Sequence, residues 1–487
     1  MASDSTALRI GWGRADITPP GPCFVAGQFH VRISERVLDP VTATALALST
    51  PEDAAVLVSC DLVSIPDDLR DAVRRLLADV EGLDPRKVLI SATHAHTGPE
   101  LRVRASGSSA TAEAFGVELE ALDARTLLPL VAERVATAVR QAWAGREPGR
   151  IACGQGAAVV GRNRRWVARS GRATMYGNTN TPDFSHIEGY EDHSLGLVAT
   201  YDAAGALTGL VVNVPCPSQV SEHEFAISAD YWCETRQALR DRYGADLHVL
   251  AQCSAAGDQS PHLLFDKAAD RRMRELSGRT VRQEIAHRIA AAVDEVLPLI
   301  APTASGSLPL AHRVETLALP VNALTAEDVA ASLAEAAKLR IRYEQEIQRL
   351  AADPSLRGQP RWYAAASGHF RQMRWYEAVA GRYEAQKTSP TMAAEVHVIR
   401  LGDLAVATNP FEFYLDFGIA IKARSPAVHT MLVQLAGGGT YCPSPRSVAG
   451  AGYGSLPASN PVGPAGGRML SDRTIEVLAE LWPATSA

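Results

Sequence analysis

Short apolar runs alternate with longer segments of helical period, and this alternation constrains the fold more than any other feature of the sequence. The apolar runs are rich in Val, Ile and Leu and are bounded by turn residues, which is typical of buried strands. These runs are Ala54–Cys60, Val88–Ala92, Ser194–Tyr201, Leu207–Val214, Leu247–Ala251, His397–Leu401, Leu404–Thr408 and His429–Leu435. The segments of helical period are Asp67–Val80, Thr111–Trp143, Asp230–Tyr243, Lys267–Val296 and Ser471–Trp482. Their order predicts an α/β fold, in which a layered mixed β-sheet domain is flanked by helices.

The segment Ala326–Lys387 differs from the rest of the chain. It is charged and rich in Ala, Glu, Arg and Gln, and it is interrupted only near Pro354–Pro360. We expect a helical hairpin, over residues 325–388, inserted in a single domain that spans residues 1–487. The hairpin is either a solvated packing element or a lid over a functional site; as a lid, it presents Arg371, Trp375 and Tyr376 to the site.

Charge and composition argue against two classes of partner. The net charge is −6, with no run of like charges, so nothing in the sequence attracts nucleic acid or an anionic membrane surface. No stretch approaches the roughly 18 continuous apolar residues of a membrane span, and the N-terminus lacks the pattern of a signal peptide. Seven cysteines lie scattered without C-x-x-C spacing, which indicates free thiols. We therefore expect a cytoplasmic protein that acts on a small molecule, without membrane insertion; no feature indicates an oligomeric state.

Two histidines follow one of the predicted buried strands directly. In Val88–Glu100, VLISATHAHTGPE, the apolar run ends at His94 and His96, and Thr97-Gly98-Pro99 then opens a loop. Side chains two residues apart in an extended segment point the same way, so both imidazoles can face one point. Such a pair is either a hydrogen-bonded structural feature or half of a metal site, because zinc needs about three or four ligands.

Several short motifs resemble those of the neutral/alkaline ceramidases and occur in the same order. Besides Val88–Glu100, the motifs are IGWGRADITPP near the start, GRNRRW at Gly161–Trp166, AQCSAAGDQSP at Ala251–Pro261, NPFEF at Asn409–Phe413 and the loop from Tyr441 to Tyr453. The resemblance spans nearly the whole chain, although divergent sequence separates the motifs. Its most specific part is the joint presence of T-H-x-H-[ST]-G-P and G-D-x-S-P.

The resemblance implies a zinc-dependent hydrolase that cleaves an amide, with the metal held by two histidines, a glutamate and a tyrosine. The matching ligands are His94, Glu412 and Tyr441. His96 matches a proton-transfer or substrate-contacting group, Tyr453 matches a tyrosine facing the substrate carbonyl, and Arg164 matches an arginine of the site.

The second histidine ligand of the family is replaced in this chain. The family's H-P-T-like turn reads Cys216-Pro217-Ser218 here, ahead of Ser228-Ala229-Asp230, so Cys216 occupies the ligand position. A thiolate binds zinc well, although its negative charge weakens the Lewis acid. Two alternatives remain open at this level: His223 supplies the missing imidazole, or the metal has been lost and Cys216 is a packed core residue.

The serine of the G-D-x-S-P motif has two interpretations. Ser260 is a nucleophile only if a base lies within hydrogen-bond reach, and His262 is the nearest candidate in sequence. Otherwise Ser260 starts a turn before Pro261, and Asp258 orders a ligand histidine or binds substrate. We favour the second interpretation.

We therefore predict a Zn²⁺ hydrolase that cleaves an amide or related ester bond. Because the sequence leaves no room for the immunoglobulin-like C-terminal domain of those ceramidases and shows no lipid-docking feature, we expect a small polar substrate and not ceramide. The alternatives are a metal-dependent lyase or isomerase on the same scaffold, and a binding protein that has lost its metal.

Overall fold

The computed structural model describes residues 8–102 and 111–483, which form a mixed α/β structure with a large mixed sheet and flanking helices, as the sequence predicts. Within these ranges twelve strands build two sheets. They are β1 (Arg9–Asp16), β2 (Thr42–Ser49), β3 (Ala54–Cys60), β4 (Val88–Ala92), β5 (Glu147–Ala157), β6 (Ser194–Asp202), β7 (Leu207–Val214), β8 (His248–Cys253), β9 (Leu310–Pro320), β10 (Thr391–Leu401), β11 (Leu404–Thr408) and β12 (His429–Val433). Shorter strands lie at Phe24–Val25, Arg32–Ile33, Arg36–Val37, Arg162–Asn163, Arg165–Ala168, Ala173–Met175, Phe184–Ile187, Ala226–Ile227, Gln259–Ser260, Glu412–Phe413 and Tyr441–Cys442.

The described α-helices are α1 (Asp67–Leu76), α2 (Thr111–Phe115), α3 (Ala124–Ala144), α4 (Tyr231–Tyr243), α5 (Lys267–Ser277), α6 (Val281–Ile300), α7 (Ala326–Ala352), α8 (Ala364–Ala385), α9 (Leu415–Arg424), α10 (Pro445–Gly450) and α11 (Pro464–Leu481). Two predicted helices, Thr111–Trp143 and Lys267–Val296, are each divided in two. The divisions have local causes, because Asp123 caps the start of α3 and a Thr280–Gln283 capping box starts α6 after Gly278. None of the described helices is both long and apolar enough to cross a bilayer.

The larger sheet has the strand order β8-β7-β6-β5-β1-β2-β3-β4. Its inner pairs are antiparallel, while β7 pairs with β8 and β3 pairs with β4 in parallel at the two edges. The smaller sheet has the order β9-β10-β11-β12, and only its last pair is parallel. The carboxyl ends of β4, β7, β8 and β11 lead into the loops that carry the predicted site residues.

The two sheets face each other between two layers of helices. Along β2, Ala43, Ala45 and Ala47 pack against α1 and α3, whereas Leu46 and Leu48 point into the core between the sheets. Helices α4 and α6 cover the other half of the larger sheet, and α9 and α11 cover the smaller one. The alternation of side chains along each strand therefore produces a four-layer αββα core.

Two glycines of the motif IGWGRAD, Gly11 and Gly13, allow α3 to lie close to the larger sheet. A Cβ atom on Gly11 would lie 2.0 Å from the carbonyl oxygen of Ala142, and one on Gly13 would lie 2.0 Å from that of Ala138. No larger residue fits at either position without displacing the helix. The glycines of this motif thus serve helix–sheet packing and not phosphate binding.

The segment 325–388 forms a helical hairpin between two paired strands. Helices α7 and α8 pack against each other, and they connect β9 to β10, which are antiparallel neighbours. The break lies at the short 3₁₀ helix Pro354–Gly358, where the sequence places its prolines. Assignment of residues 1–487 to one domain with this insertion stays a prediction.

Candidate functional site

The two histidines of Val88–Glu100 meet just beyond the end of β4, but not by the simple alternation of a strand. The strand ends at Ala92, and His94 adopts a left-handed backbone conformation with φ of 60°. This turn brings the rings of His94 and His96 to a centroid separation of 4.8 Å at 88°, with their Nε2 atoms 3.3 Å apart. The left-handed turn at His94, and not the alternation of the strand, therefore brings the two imidazoles together.

Contacts of the His94 ring determine its tautomer. Nδ1 lies 2.7 Å from the carbonyl oxygen of Val63, and because a carbonyl only accepts, Nδ1 donates this hydrogen bond. In the neutral ring Nε2 is then an acceptor, yet it faces Oε2 of Glu412 at 3.3 Å. Two acceptors at this separation repel each other unless the ring gains a second proton or a cation lies between them.

Glu412 is an ionised carboxylate in this environment. Burial opposes its ionisation, but His94 and then Arg164 outweigh that effect and lower the pKa of Glu412 to about 2. A two-stranded parallel ladder holds it in place, in which Glu412 is paired with Tyr441. The backbone thus brings the predicted glutamate and tyrosine side by side, although 29 positions of sequence separate them.

Arg164 lies behind Tyr441. One of its amino groups donates to the Tyr441 hydroxyl at 3.0 Å and to the carbonyl oxygen of Gly257 at 2.9 Å, and it lies 3.8 Å from Oε2 of Glu412. Burial raises the pKa of the Tyr441 hydroxyl well above its usual range, and Arg164 opposes that rise. Arg164 therefore orients Tyr441 and balances the charge of Glu412.

Asp258 connects two loops of the site. Its carboxylate accepts hydrogen bonds from the Asn163 side chain at 3.2 Å and from the Leu415 backbone at 3.1 Å, and its carbonyl accepts from the Arg164 backbone at 3.0 Å. Burial raises the pKa of Asp258 to about 6. Asp258 orders the arginine and glutamate loops, and it contacts neither His94 nor His96 in these interactions.

Ser260 takes part in a turn. Its hydroxyl accepts hydrogen bonds from the Tyr176 hydroxyl at 3.2 Å and from the His262 backbone at 3.0 Å. The His262 ring is directed elsewhere, with Nε2 lying 3.1 Å from a carboxylate oxygen of Glu222. These contacts are those of the turn interpretation, and they give Ser260 no imidazole base.

A cavity of about 540 Å³ opens beside this cluster. His94, His96, Glu412, Tyr441 and Tyr453 all line it, whereas Arg164, Asp258, Ser260 and Cys216 do not. The Tyr453 ring packs edge-on against Tyr441 at 5.6 Å, and burial raises the pKa of its hydroxyl to about 12, so the hydroxyl stays protonated as a donor. The structure therefore brings five of the predicted residues to one accessible surface.

Neither sequence candidate for the remaining metal ligand joins the cluster. The Cys216 thiol is fully buried in the core between the larger sheet and α4, and its hydrogen bond goes to the carbonyl oxygen of Pro217 at 3.5 Å. The side chain of His223 is 80 % exposed. Across residues 8–102 and 111–483, no three side chains among His, Cys, Asp and Glu are arranged to hold a metal ion. The assignment of Cys216 as a metal ligand stays a prediction.

Comparisons with known proteins identify the fold but give no sequence family. No protein-family model and no curated protein matches the sequence. Among solved structures, a ceramidase complexed with C2 matches with a TM-score of 0.65 and 18 % identity over 99 % of this chain and 77 % of the other. The neutral ceramidase from Pseudomonas aeruginosa matches with the same score and identity, over 98 % and 75 %.

The chain has the neutral ceramidase fold. The similarity covers both sheets and their helices, and it confirms the family resemblance at the level of architecture. At 18 % identity it does not extend to activity, metal or substrate.

The cluster nevertheless fits a metal ion in one respect that does not depend on the comparison. Zinc bonds to imidazole nitrogen and carboxylate oxygen are about 2.0–2.2 Å long, so neighbouring ligand atoms of a tetrahedral site lie roughly 3.3 Å apart. The separation of His94 Nε2 from Glu412 Oε2 is 3.3 Å. The phenol oxygen of Tyr441, the residue paired with Glu412, offers a third ligand atom.

Two further residues reach the site: Phe29, which the sequence did not indicate, and Glu222, which was considered only as a neighbour, with Glu224, of His223 as an alternative ligand. A carboxylate oxygen of Glu222 lies 3.5 Å from Nδ1 of His96, and Phe29 lines the cavity beside Tyr453. Neither residue lies in a recognisable catalytic or metal-binding motif.

Proposed function

We propose that this protein is a zinc-dependent hydrolase that cleaves an amide or related ester bond in a small polar molecule. His94, Glu412 and Tyr441 hold the metal in this proposal, which leaves a coordination position for water or substrate, as in many catalytic zinc sites. The observation that supports it most is the placement of His94 Nε2 3.3 Å from Glu412 Oε2 at the wall of the cavity, with Tyr441 paired beside Glu412. A cation between the imidazole and the carboxylate takes the place of a second proton on the ring.

When bound, zinc supplies a Lewis acid that polarises a carbonyl group and acidifies water. In this proposal His96, which lines the cavity with its Nε2 atom 3.3 Å from that of His94, accepts a proton from the attacking water and returns it to the leaving amine or alcohol. Burial lowers the pKa of the His96 ring, so the ring is neutral before the reaction begins. The protonated hydroxyl of Tyr453 donates a hydrogen bond to the developing oxyanion, an interaction worth ~3 kcal/mol in comparable sites.

The form of the cavity supports a small substrate. Its volume of about 540 Å³ lies within the range for drug-sized ligands, and arginine side chains from α8 and from the loop after β4 reach its wall. A polar amide or ester suits such a wall better than a long acyl chain. We place the enzyme in the cytoplasm, in keeping with the free thiols of all seven cysteines.

Metal content and isotope incorporation test the proposal. Elemental mass spectrometry of the purified protein should give near one zinc per chain, and His94→Ala should reduce that ratio at least tenfold. Turnover of an amide and ester panel in H₂¹⁸O should place one ¹⁸O atom in the acid product. Carbon-bound deuterium from D₂O without ¹⁸O uptake would instead indicate a lyase or isomerase. A wild-type protein that takes up no zinc would indicate a binding protein.

A further inference from the structure

The helical hairpin contributes one wall of the cavity. Arg371, Arg374 and Trp375 of α8 line it opposite the metal-binding cluster, and Arg102 from the loop after β4 lines it as well. The hairpin is therefore more than a packing element at the surface of the fold. Its side chains lie where they contact whatever occupies the cavity.

Arg371 is held rigidly in that wall. Its side chain is only 13 % exposed, one amino group donates to the Gln28 carbonyl at 3.1 Å, and the guanidinium lies 5.8 Å from the Phe115 ring centre. The other amino group forms an ion pair with Glu100, 3.8 Å from its carboxylate oxygen. A guanidinium ordered in this way loses little conformational entropy when it binds an anion.

The charged side chains that line the cavity leave it positive. Arg102, Arg371 and Arg374 line it together with Glu100 and Glu412. Among these five side chains, the arginines exceed the glutamates by one. A single excess positive charge matches a singly charged group better than a doubly charged one.

An aromatic surface adjoins the arginines. The ring centres of Phe29 and Trp375 are 5.3 Å apart, and those of Trp375 and Tyr453 are 5.9 Å apart. All three residues line the cavity, and Tyr453 also borders the metal-binding cluster. A compact apolar or aromatic group of the substrate fits against this surface.

We propose that the substrate is a small amide or ester that carries a carboxylate, which Arg371 and Arg102 bind while the apolar part packs on Phe29 and Trp375. This inference rests on the proposed hydrolytic function for the reaction, but not for the binding. Arginine forks recognise carboxylates through paired charge-assisted hydrogen bonds. Because the carboxylate is remote from the reacting bond, Arg371 contributes equally to ground-state and transition-state binding.

Binding is tested first, without turnover. Calorimetric titration of the protein, after incubation with zinc, should show that hippurate binds at least tenfold more tightly than its neutral amide, hippuramide. Arg371→Gln should remove that preference, and Arg371→Lys should restore part of it because the charge returns. Lys338→Gln is the matched control: it removes a 63 % exposed cation from the same hairpin, outside the cavity lining, and should leave the preference unchanged.

The outcomes separate this inference from the proposed function. Preference for hippurate without hydrolysis of any amide or ester would support the anion site and refute the hydrolase. If turnover occurs, Arg371→Gln should raise KM for a carboxylate substrate at least tenfold and change kcat little. Equal affinity for hippurate and hippuramide overturns the proposal. Higher affinity for phenyl phosphate than for benzoate also overturns it, because that result would assign the site to phosphate.

Discussion

Replacement of Glu412 by glutamine tests the electrostatics of the candidate metal site in the absence of metal. The pKa of Glu412 is lowered from 4.5 to about 2, because His94 and Arg164 outweigh the effect of burial. At ~1.4 kcal/mol for each tenfold change in the protonation equilibrium, the ionised carboxylate contributes about 3 kcal/mol to the free energy of unfolding. Unfolding of a 487-residue chain has an entropy of about 1 kcal/mol/K, so Glu412→Gln should lower the melting temperature by about 3 °C at pH 7.

The pH dependence of this difference has a definite sign. Because the pKa is lower in the folded state, the stabilisation is complete above the unfolded pKa of 4.5 and is lost as the pH falls towards about 2. With a chelator present, the melting temperatures of wild type and Glu412→Gln should therefore differ most between pH 6 and 7. By pH 3 this difference should shrink to roughly half or less.

Zinc and a surface control complete the experiment. Zinc should raise the melting temperature of wild type but not of Glu412→Gln, since only a ligand that binds the folded state stabilises it. Glu346→Gln removes a partly exposed carboxylate that pairs with Arg349 on α7, and it should change the melting temperature by less than about 1 °C. A Glu412→Gln protein as stable as wild type at pH 7, or a difference that does not vary with pH, would refute the electrostatic reasoning.

Three further substitutions test separate parts of the structure. Cys216→Ala should retain near one zinc per chain by elemental mass spectrometry, since the thiol lies in the core; loss of zinc would establish it as a ligand after all. Ser260→Ala should lower kcat/KM less than tenfold, as expected for a turn residue, and a loss of a thousandfold or more with an intact melting temperature would indicate a nucleophile. Gly13→Ala should lower the free energy of unfolding in urea by ~3 kcal/mol or more, because its Cβ atom would lie 2.0 Å from the Ala138 carbonyl oxygen. Gly381→Ala on α8 is the control: no atom lies within 4 Å of the new Cβ, so this change should be neutral or stabilising.

The arrangement of layers follows largely from local sequence patterns. Strands β3, β4, β7 and β11 have the predicted bounds, because buried strands read as continuous apolar runs between turn residues. The hairpin α7–α8 was equally visible, since its composition differs from that of its neighbours. Helix ends were less accurate where a cap such as Asp123 or Thr280 divides a continuous helical period.

The chemical types of the site residues also follow from the sequence. The motifs around His94, Glu412, Tyr441 and Tyr453 name the groups that line the cavity, although the motifs lie far apart along the chain. By contrast, the strand alternation expected for His94 and His96 was wrong in detail. Their convergence comes from the left-handed turn at His94, which only the surrounding loops hold in place.

Tertiary structure alone decided which of these groups meet. Cys216 matched a ligand by its place in a motif, yet its backbone enters the core beside α4, so its thiol packs among apolar side chains. The lid alternative for the hairpin named Arg371, Trp375 and Tyr376, and the packing of the layers brings Arg371 and Trp375, but not Tyr376, to the wall of the cavity. Residue type and spacing determine what chemistry a segment offers, because these are local properties; the distances between segments depend on how the layers pack, and that is a property of the whole chain.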